Sequence, residues 1–200
     1  MLRPATLSVR PVPNLPNILT LSRIVVIPLI IAAFYLADPV AGWTTFALFA
    51  YASVTDFFDG LLARRWNQTT DFGRFLDPIA DKLLVAAVLV MMIATGAITG
   101  LTVIAALLIL LRELLVSGLR EFLGGKQIDV PVSRLAKWKT GVQLIAIGLL
   151  LLGSVIPSLA AIGAGFLWAA AILTAYTGYD YLRSGMAHMT RPKNTGTIAE

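Results

Sequence analysis

Four aspartates set in apolar sequence, Asp56, Asp59, Asp77 and Asp81, are the residues of this chain best suited to chemistry. They belong to a string D-x-x-D-G-x-x-A-R-x8-G-x3-D-x3-D that runs from Asp56 through Gly60, Ala63, Arg64 and Gly73 to Asp81. Like charges crowded at the edge of a hydrocarbon phase repel one another, and each unpaired one costs roughly 2.5–3.5 kcal/mol at bilayer depth. Bound divalent cations relieve both penalties. Asp56 and Asp59 are three residues apart and Asp77 and Asp81 four apart, so on helices each pair shares a face. Two such faces opposed make a box of hard oxygen donors suited to Mg²⁺ or Mn²⁺, with room for two ions. A pair of ions clamps the attacking and leaving oxygens of an in-line displacement, so the donor set predicts phosphoryl transfer.

The residues between the pairs fit that chemistry. Gly60, Ala63 and Gly73 remove side-chain bulk where a planar group or a phosphate chain approaches backbone, and the Arg64 guanidinium can grip phosphate oxygens in a bidentate fashion. Singly, each has a plainer use. Small residues at this spacing also mark close helix contacts, and Arg64 with Arg65 also suits an interfacial anchor. The complete string is far more specific than its parts.

Elements of bilayer length must position these residues. Of 200 residues, 58% are hydrophobic and 14% charged, and the mean hydropathy is +0.81. A soluble domain of this size carries about a quarter charged residues, so the composition predicts an all-α polytopic membrane protein. Six apolar segments have the required length, at about 18–37, 43–62, 79–98, 101–122, 138–156 and 159–182. The turns near Asp38–Gly42, Thr95–Gly100 and Gly153–Ser158 contain no Lys or Arg. Basic residues therefore gather in the alternate loops and the tails, which places both termini and the aspartates on the cytoplasmic side.

The expected organisation is an N-terminal membrane-surface segment over 1–16, with prolines at 4, 11, 13 and 16, a six-helix domain over 17–185, and a polar tail over 186–200. Pro28 falls inside the first span and is expected to be a tolerated membrane proline. No cleavable signal peptide is expected, because no small-residue cleavage site precedes the first apolar run. Cysteine is absent, which excludes disulfides and thiolate ligands. The lone His188 lies beyond the last apolar run and is expected to be a solvated residue.

A second set of charges has the opposite sign. Arg112, Arg120, Lys137 and Lys139 flank the cytoplasmic side of the fourth and fifth segments, with Glu113 and Glu121 between them. Arg112 and Arg120, eight apart, fall on nearly one helical stripe and can line a cavity descending from the surface. Cations beside a metal site predict a phosphorylated acceptor, whereas singly each residue also suits snorkelling to lipid headgroups. Arg112 follows the run Leu107–Leu111 and is too deep for a simple anchor.

At every defined position the string from Asp56 to Asp81 resembles the motif of the CDP-alcohol phosphatidyltransferases. The resemblance implies an integral membrane enzyme of six transmembrane helices, with Asp56, Asp59 and Asp77 as metal ligands. Asp81 would be the general base and also touch the second metal. Gly60, Ala63, Arg64 and Gly73 would line the site for the CDP moiety. Asn17, Thr20 and Arg23, at i, i+3, i+6, either edge that site or cap and anchor the first helix. The stretches Asn14–Arg23, Leu62–Gln68, Arg112–Glu113 and Leu119–Glu121 resemble the members that accept sn-glycerol 3-phosphate. From that likeness follow CDP-diacylglycerol as donor, a bacterial cytoplasmic membrane, membrane lipids as surroundings, a homodimer, and no nucleic-acid partner.

Other acceptors within the family, inositol phosphate or phosphatidylglycerol, remain open. So does a cation transporter, although carboxylates gathered at one level without repeats argue against a transport path. Asp81→Asn is expected to abolish turnover while preserving much of the CDP-diacylglycerol binding, measured as CMP release against lipid binding; full retained activity removes Asp81 as the base.

Overall fold

The chain folds into six helices, in a computed structural model that describes residues 15–66, 71–125 and 134–189. These are α1 (Leu15–Ala33), α2 (Val40–Trp66), α3 (Asp71–Ala94), α4 (Thr102–Gly125), α5 (Arg134–Leu152) and α6 (Pro157–Met189). No strand occurs among the described residues. Two compact units divide the chain, one up to Met91 and one from Met92.

Each expected apolar segment corresponds to one helix. α4 and α6 are long and apolar enough to cross a bilayer, and α1 and α5 contain shorter apolar stretches at Ile18–Ala33 and Trp138–Leu152. Local chemistry sets several of the ends. Pro16 and Pro157 sit in the first turns of α1 and α6, where a missing N–H is harmless and the fixed φ already suits a helix. Between α3 and α4 the backbone turns at Gly96 and Gly100, whose φ values of 78° and 57° lie in the left-handed region that glycine enters without strain. α1 continues through Pro28 and α3 through Pro78.

Several helices, α2 (Val40–Trp66) among them, are longer than the hydropathy alone predicts. α3 starts at Asp71, within the expected loop before Asp77, and α6 runs to Met189, into the expected tail. Hydropathy marks the part of a helix that suits a bilayer, whereas hydrogen bonding carries the helix on into polar sequence. Asp77 is thereby a helical residue, one turn before Asp81. The expected surface segment falls outside the described residues except for Leu15 and Pro16, which open α1, and residues 190–200 lie outside them as well.

The distribution of side chains is that of a protein solvated by hydrocarbon. Buried positions include many alanines, such as Ala52, Ala80, Ala105, Ala106, Ala146 and Ala170, together with the polar Thr20, Arg23, Lys139, Gln143, Thr174 and Thr177. Val25, Leu29, Leu111, Leu114, Ile172 and many other large apolar side chains point outward. Lipid tails are as apolar as leucine, so burying aliphatics gains little, and helices associate through small residues and polar contacts instead.

In the first unit α1 packs against α2, and in the second α4 and α5 both pack against α6. The α5–α6 contact is tight at Gly163, where an added Cβ would lie 2.8 Å from Leu150 Cγ and 2.9 Å from the Leu150 backbone nitrogen. Backbone cannot yield as a side-chain tip can. Gly163→Leu is therefore expected to destabilise the second unit by about 1–3 kcal/mol, measured by unfolding in mixed detergent micelles; a stability equal to that of the parent would mean that the two helices part freely here.

Candidate active site

In the first unit, α1 serves both aspartate-bearing helices. Thr20 and Arg23, three residues apart, lie on one face of α1 and are both fully or almost fully buried. The Thr20 hydroxyl donates a 2.6 Å hydrogen bond to Asp77 Oδ1 on α3. Arg23 Nη1 lies 2.6 Å from Asp56 Oδ1 on α2. A guanidinium that is 0% exposed requires a counter-charge, and the Asp56 carboxylate, still 45% exposed, supplies it while keeping access to solvent. Three helices are thus pinned through two carboxylates.

This geometry bears on metal binding. Both of these contacts are made through Oδ1 of the carboxylate. The donors are hard carboxylate oxygens, the set that suits Mg²⁺ or Mn²⁺, and their orientation is fixed from behind by polar side chains, as metal ligands generally require. Among the described residues no three carboxylates converge. Asp59 belongs to α2 in its backbone, but its side chain lies outside the described residues, as do those of Ala63 and Arg64; Gly60 shares that position. Asp81 is partly exposed on α3, one turn beyond Asp77, and Gly73 is buried near the start of the same helix. Asn17 opens α1, with its side chain outside the described residues.

The second unit holds a polar network of its own. Arg112 on α4 directs Nη1 to Glu113 Oε1 at 3.2 Å and donates from Nη2 to Thr177 Oγ1 on α6 at 3.2 Å. The Thr177 hydroxyl in turn donates to the Leu173 carbonyl at 2.9 Å. Lys139, buried on α5, pairs with the same Glu113 oxygen. One carboxylate therefore ties two cations from two helices, and α6 completes the network. Gly178 makes room for it, since an added Cβ would sit 2.8 Å from Arg112 Cγ and 3.2 Å from Nε.

Of the four cations singled out by sequence, the network contains Arg112 and Lys139. Arg120 is exposed, its guanidinium carbon 5.8 Å from the centroid of the Tyr181 ring on α6, a cation–π distance. Lys137 has its side chain outside the described residues. The structure adds three buried residues that charge-based reading passes over, Gln143, Thr174 and Thr177. Their signal was available: Lys139 and Gln143 are four apart, Thr174 and Thr177 three apart, and both pairs are polar in otherwise apolar helices.

Comparison with known proteins bears on the whole chain. The sequence pattern of the CDP-alcohol phosphatidyltransferase family matches residues 13–176. A Rickettsia bellii protein named CDP-diacylglycerol--glycerol-3-phosphate 3-phosphatidyltransferase is 51% identical over 174 residues, covering 86% of this chain and 94% of its own length. Proteins of the same name from Shigella flexneri and Cereibacter sphaeroides are 42% identical over 181 residues and 37% identical over 218. They cover 88% and 90% of this chain, and 97% and 99% of their own lengths.

The Arg23–Asp56 pair is open to a direct test. Removing the buried cation leaves behind a carboxylate that still has solvent, so Arg23→Met is expected to shift the melting temperature by no more than a few degrees. Losing the group that orients Asp56 is expected to lower specific activity at least about tenfold. A large loss of melting temperature with full activity would reverse that assignment.

Proposed function

The chain belongs to the CDP-alcohol phosphatidyltransferase family, and from that premise we propose how its residues carry out the transfer. It is a membrane enzyme that moves the phosphatidyl group of CDP-diacylglycerol to glycerol 3-phosphate, giving phosphatidylglycerophosphate and CMP. The observation that carries this assignment is 51% identity, across nearly the full length of a relative named for that donor and that acceptor.

In the proposed topology all six helices span the membrane, both termini are cytoplasmic, and the site opens to the cytoplasmic face of a bacterial inner membrane. The absence of Lys and Arg from three alternate turns supports it. Such a site suits its substrates. The acyl chains of the donor stay in the leaflet while its headgroup reaches a polar pocket, and the water-soluble acceptor enters from the cytoplasm. A homodimer is proposed from the family resemblance.

For the reaction, we assign Asp56, Asp59, Asp77 and Asp81 as the residues that would hold one or two Mg²⁺ or Mn²⁺ ions. When bound, such ions neutralise charge on the diphosphate and stabilise the departing CMP. Thr20 and Arg23 orient Asp77 and Asp56 from behind. Gly60, Ala63, Arg64 and Gly73, with Asn17 and Thr20 at the edge, receive the CDP group. The primary hydroxyl of the acceptor attacks the phosphorus that bears diacylglycerol, Asp81 takes its proton, and the bond from that phosphorus to CMP breaks.

The acceptor's phosphate is assigned to Arg112 and Lys139, with Arg120 and Lys137 as cations on its approach. The buried Lys139 and the part-buried Arg112 already meet at one carboxylate oxygen of Glu113, which supports a site for an anion there. In the purified enzyme, CMP release is expected with sn-glycerol 3-phosphate and not with inositol phosphate or phosphatidylglycerol, and chelation of divalent cations is expected to stop it. Arg112→Met is expected to raise the KM for glycerol 3-phosphate at least about tenfold, and that for CDP-diacylglycerol much less. Equal effects on both substrates would move the acceptor's phosphate elsewhere.

A further inference from the structure

Three buried side-chain atoms of the second unit have no hydrogen-bond partner among the described residues: Arg112 Nε, Gln143 Oε1 and Thr174 Oγ1. A buried polar atom left unpaired costs about 1–3 kcal/mol, and native structures rarely keep one without a ligand or water to meet it. Gln143 is 3% exposed and Thr174 is 0% exposed. Thr174 is also unusual in its local bonding. Ser22, Thr45, Ser53, Thr55 and Thr177 each donate to a carbonyl of the preceding helical turn, the ordinary way for such a hydroxyl to be satisfied inside an apolar helix. No such bond satisfies Thr174, whose hydroxyl is buried and unspent.

Their positions relate them to one another. Lys139 and Gln143 lie one turn apart on one face of α5, and Thr177 and Thr174 one turn apart on one face of α6. Lys139 and Thr177 are both joined to the Arg112–Glu113 pair of α4. Gln143 and Thr174 therefore each sit a single helical turn from the cation network, on the faces that carry it. Both lie on the side toward the middle of their helices. Lys139 with Gln143 on α5 and Thr177 with Thr174 on α6 thus make two buried polar strips within the second unit.

We propose that Gln143 and Thr174 recognise the secondary hydroxyl of the acceptor, and so are specificity-determining residues for the transfer. This rests on the reading of glycerol 3-phosphate as acceptor. That molecule carries an anion, a primary hydroxyl that reacts and a secondary hydroxyl that does not. Arg112 and Lys139 suit the anion, and the aspartate motif serves the reacting hydroxyl. The third group needs neutral partners within reach of the phosphate, and one helical turn, about 5.4 Å, is the right scale for a three-carbon molecule. The Gln143 carbonyl oxygen accepts from the secondary hydroxyl, and the Thr174 hydroxyl donates to its oxygen. An acceptor lacking that hydroxyl leaves both groups buried and unpaired, which is how a polar site rejects a smaller analogue.

The test compares sn-glycerol 3-phosphate with 3-hydroxypropyl phosphate, which keeps the phosphate and the primary hydroxyl but lacks the secondary one. CMP release from CDP-diacylglycerol is measured for the full-length enzyme and for Gln143→Met and Thr174→Val. The parent enzyme is expected to favour glycerol 3-phosphate in kcat/KM by at least about tenfold, and each substitution to narrow that ratio about tenfold, the worth of roughly one hydrogen bond. Thr174→Ser, which keeps the hydroxyl, is expected to retain the parent's ratio. Should the apolar variants fail to fold, Gln143→Asn replaces them: it withdraws the amide by one methylene and is expected to narrow the ratio in the same direction. A ratio that stays at the parent's value, with equal losses on both acceptors, overturns the proposal and leaves the two groups a structural role around water. A parent enzyme that turns over another alcohol but not glycerol 3-phosphate overturns the acceptor assignment itself, and this inference with it.

Discussion

Charge is scarce in this chain, and wherever it is buried it must find a partner within a few ångströms. The Arg23 guanidinium, with no solvent exposure, is held against Asp56; Lys139, almost as deeply buried, is held against Glu113 together with Arg112. Leaving either cation unpaired would cost far more than an exposed charge costs in water. Since lipid tails offer leucine side chains as good an environment as a protein core does, these polar contacts, with close approaches such as that at Gly163, decide which helices lie together. The same groups that hold the helices are those assigned to substrates. Stability and chemistry draw here on one small set of side chains.

The buried polar groups also differ between the two units. The first unit holds Asp56 and Asp77 with a buried arginine and a threonine against them, an arrangement that orients both carboxylates. The second holds a lysine and an arginine around one glutamate, with a glutamine and two threonines on neighbouring turns. Glu113 gives the second unit a further property. Its carboxylate is the anion that Arg112 and Lys139 share.

Much of this was legible in the sequence, for identifiable reasons. Hydropathy found all six helices because apolar length is a strong signal, and it erred where α3 and α6 continue into polar residues that a helix accommodates readily. The aspartate string was legible because its members are close in sequence and fixed in spacing. The support from Thr20 and Arg23 was visible as a helical face, although its partners on α2 and α3 were not, since pairing between distant helices leaves no local pattern. Arg112 and Arg120 share a stripe on paper. In the fold one is drawn into α6 beside Gly178, and the other lies exposed over Tyr181. Gln143 and Thr174 escaped notice because neutral polar residues in apolar helices carry no charge to flag them, and their significance lies in bonds they do not make.

The pairing of α1 with the two aspartate helices also constrains how the protein is made. Arg23 leaves the ribosome before Asp56, and well before Asp77 is available to Thr20. The arginine thus waits until most of α2 is made, and the threonine three residues before it until the first turns of α3, for these partners. Until they arrive, its charge favours the aqueous interface over the apolar phase. α1 therefore gains these contacts with α2 and α3 only once both partner carboxylates are made, and the contact that seats it also orients Asp56 and Asp77.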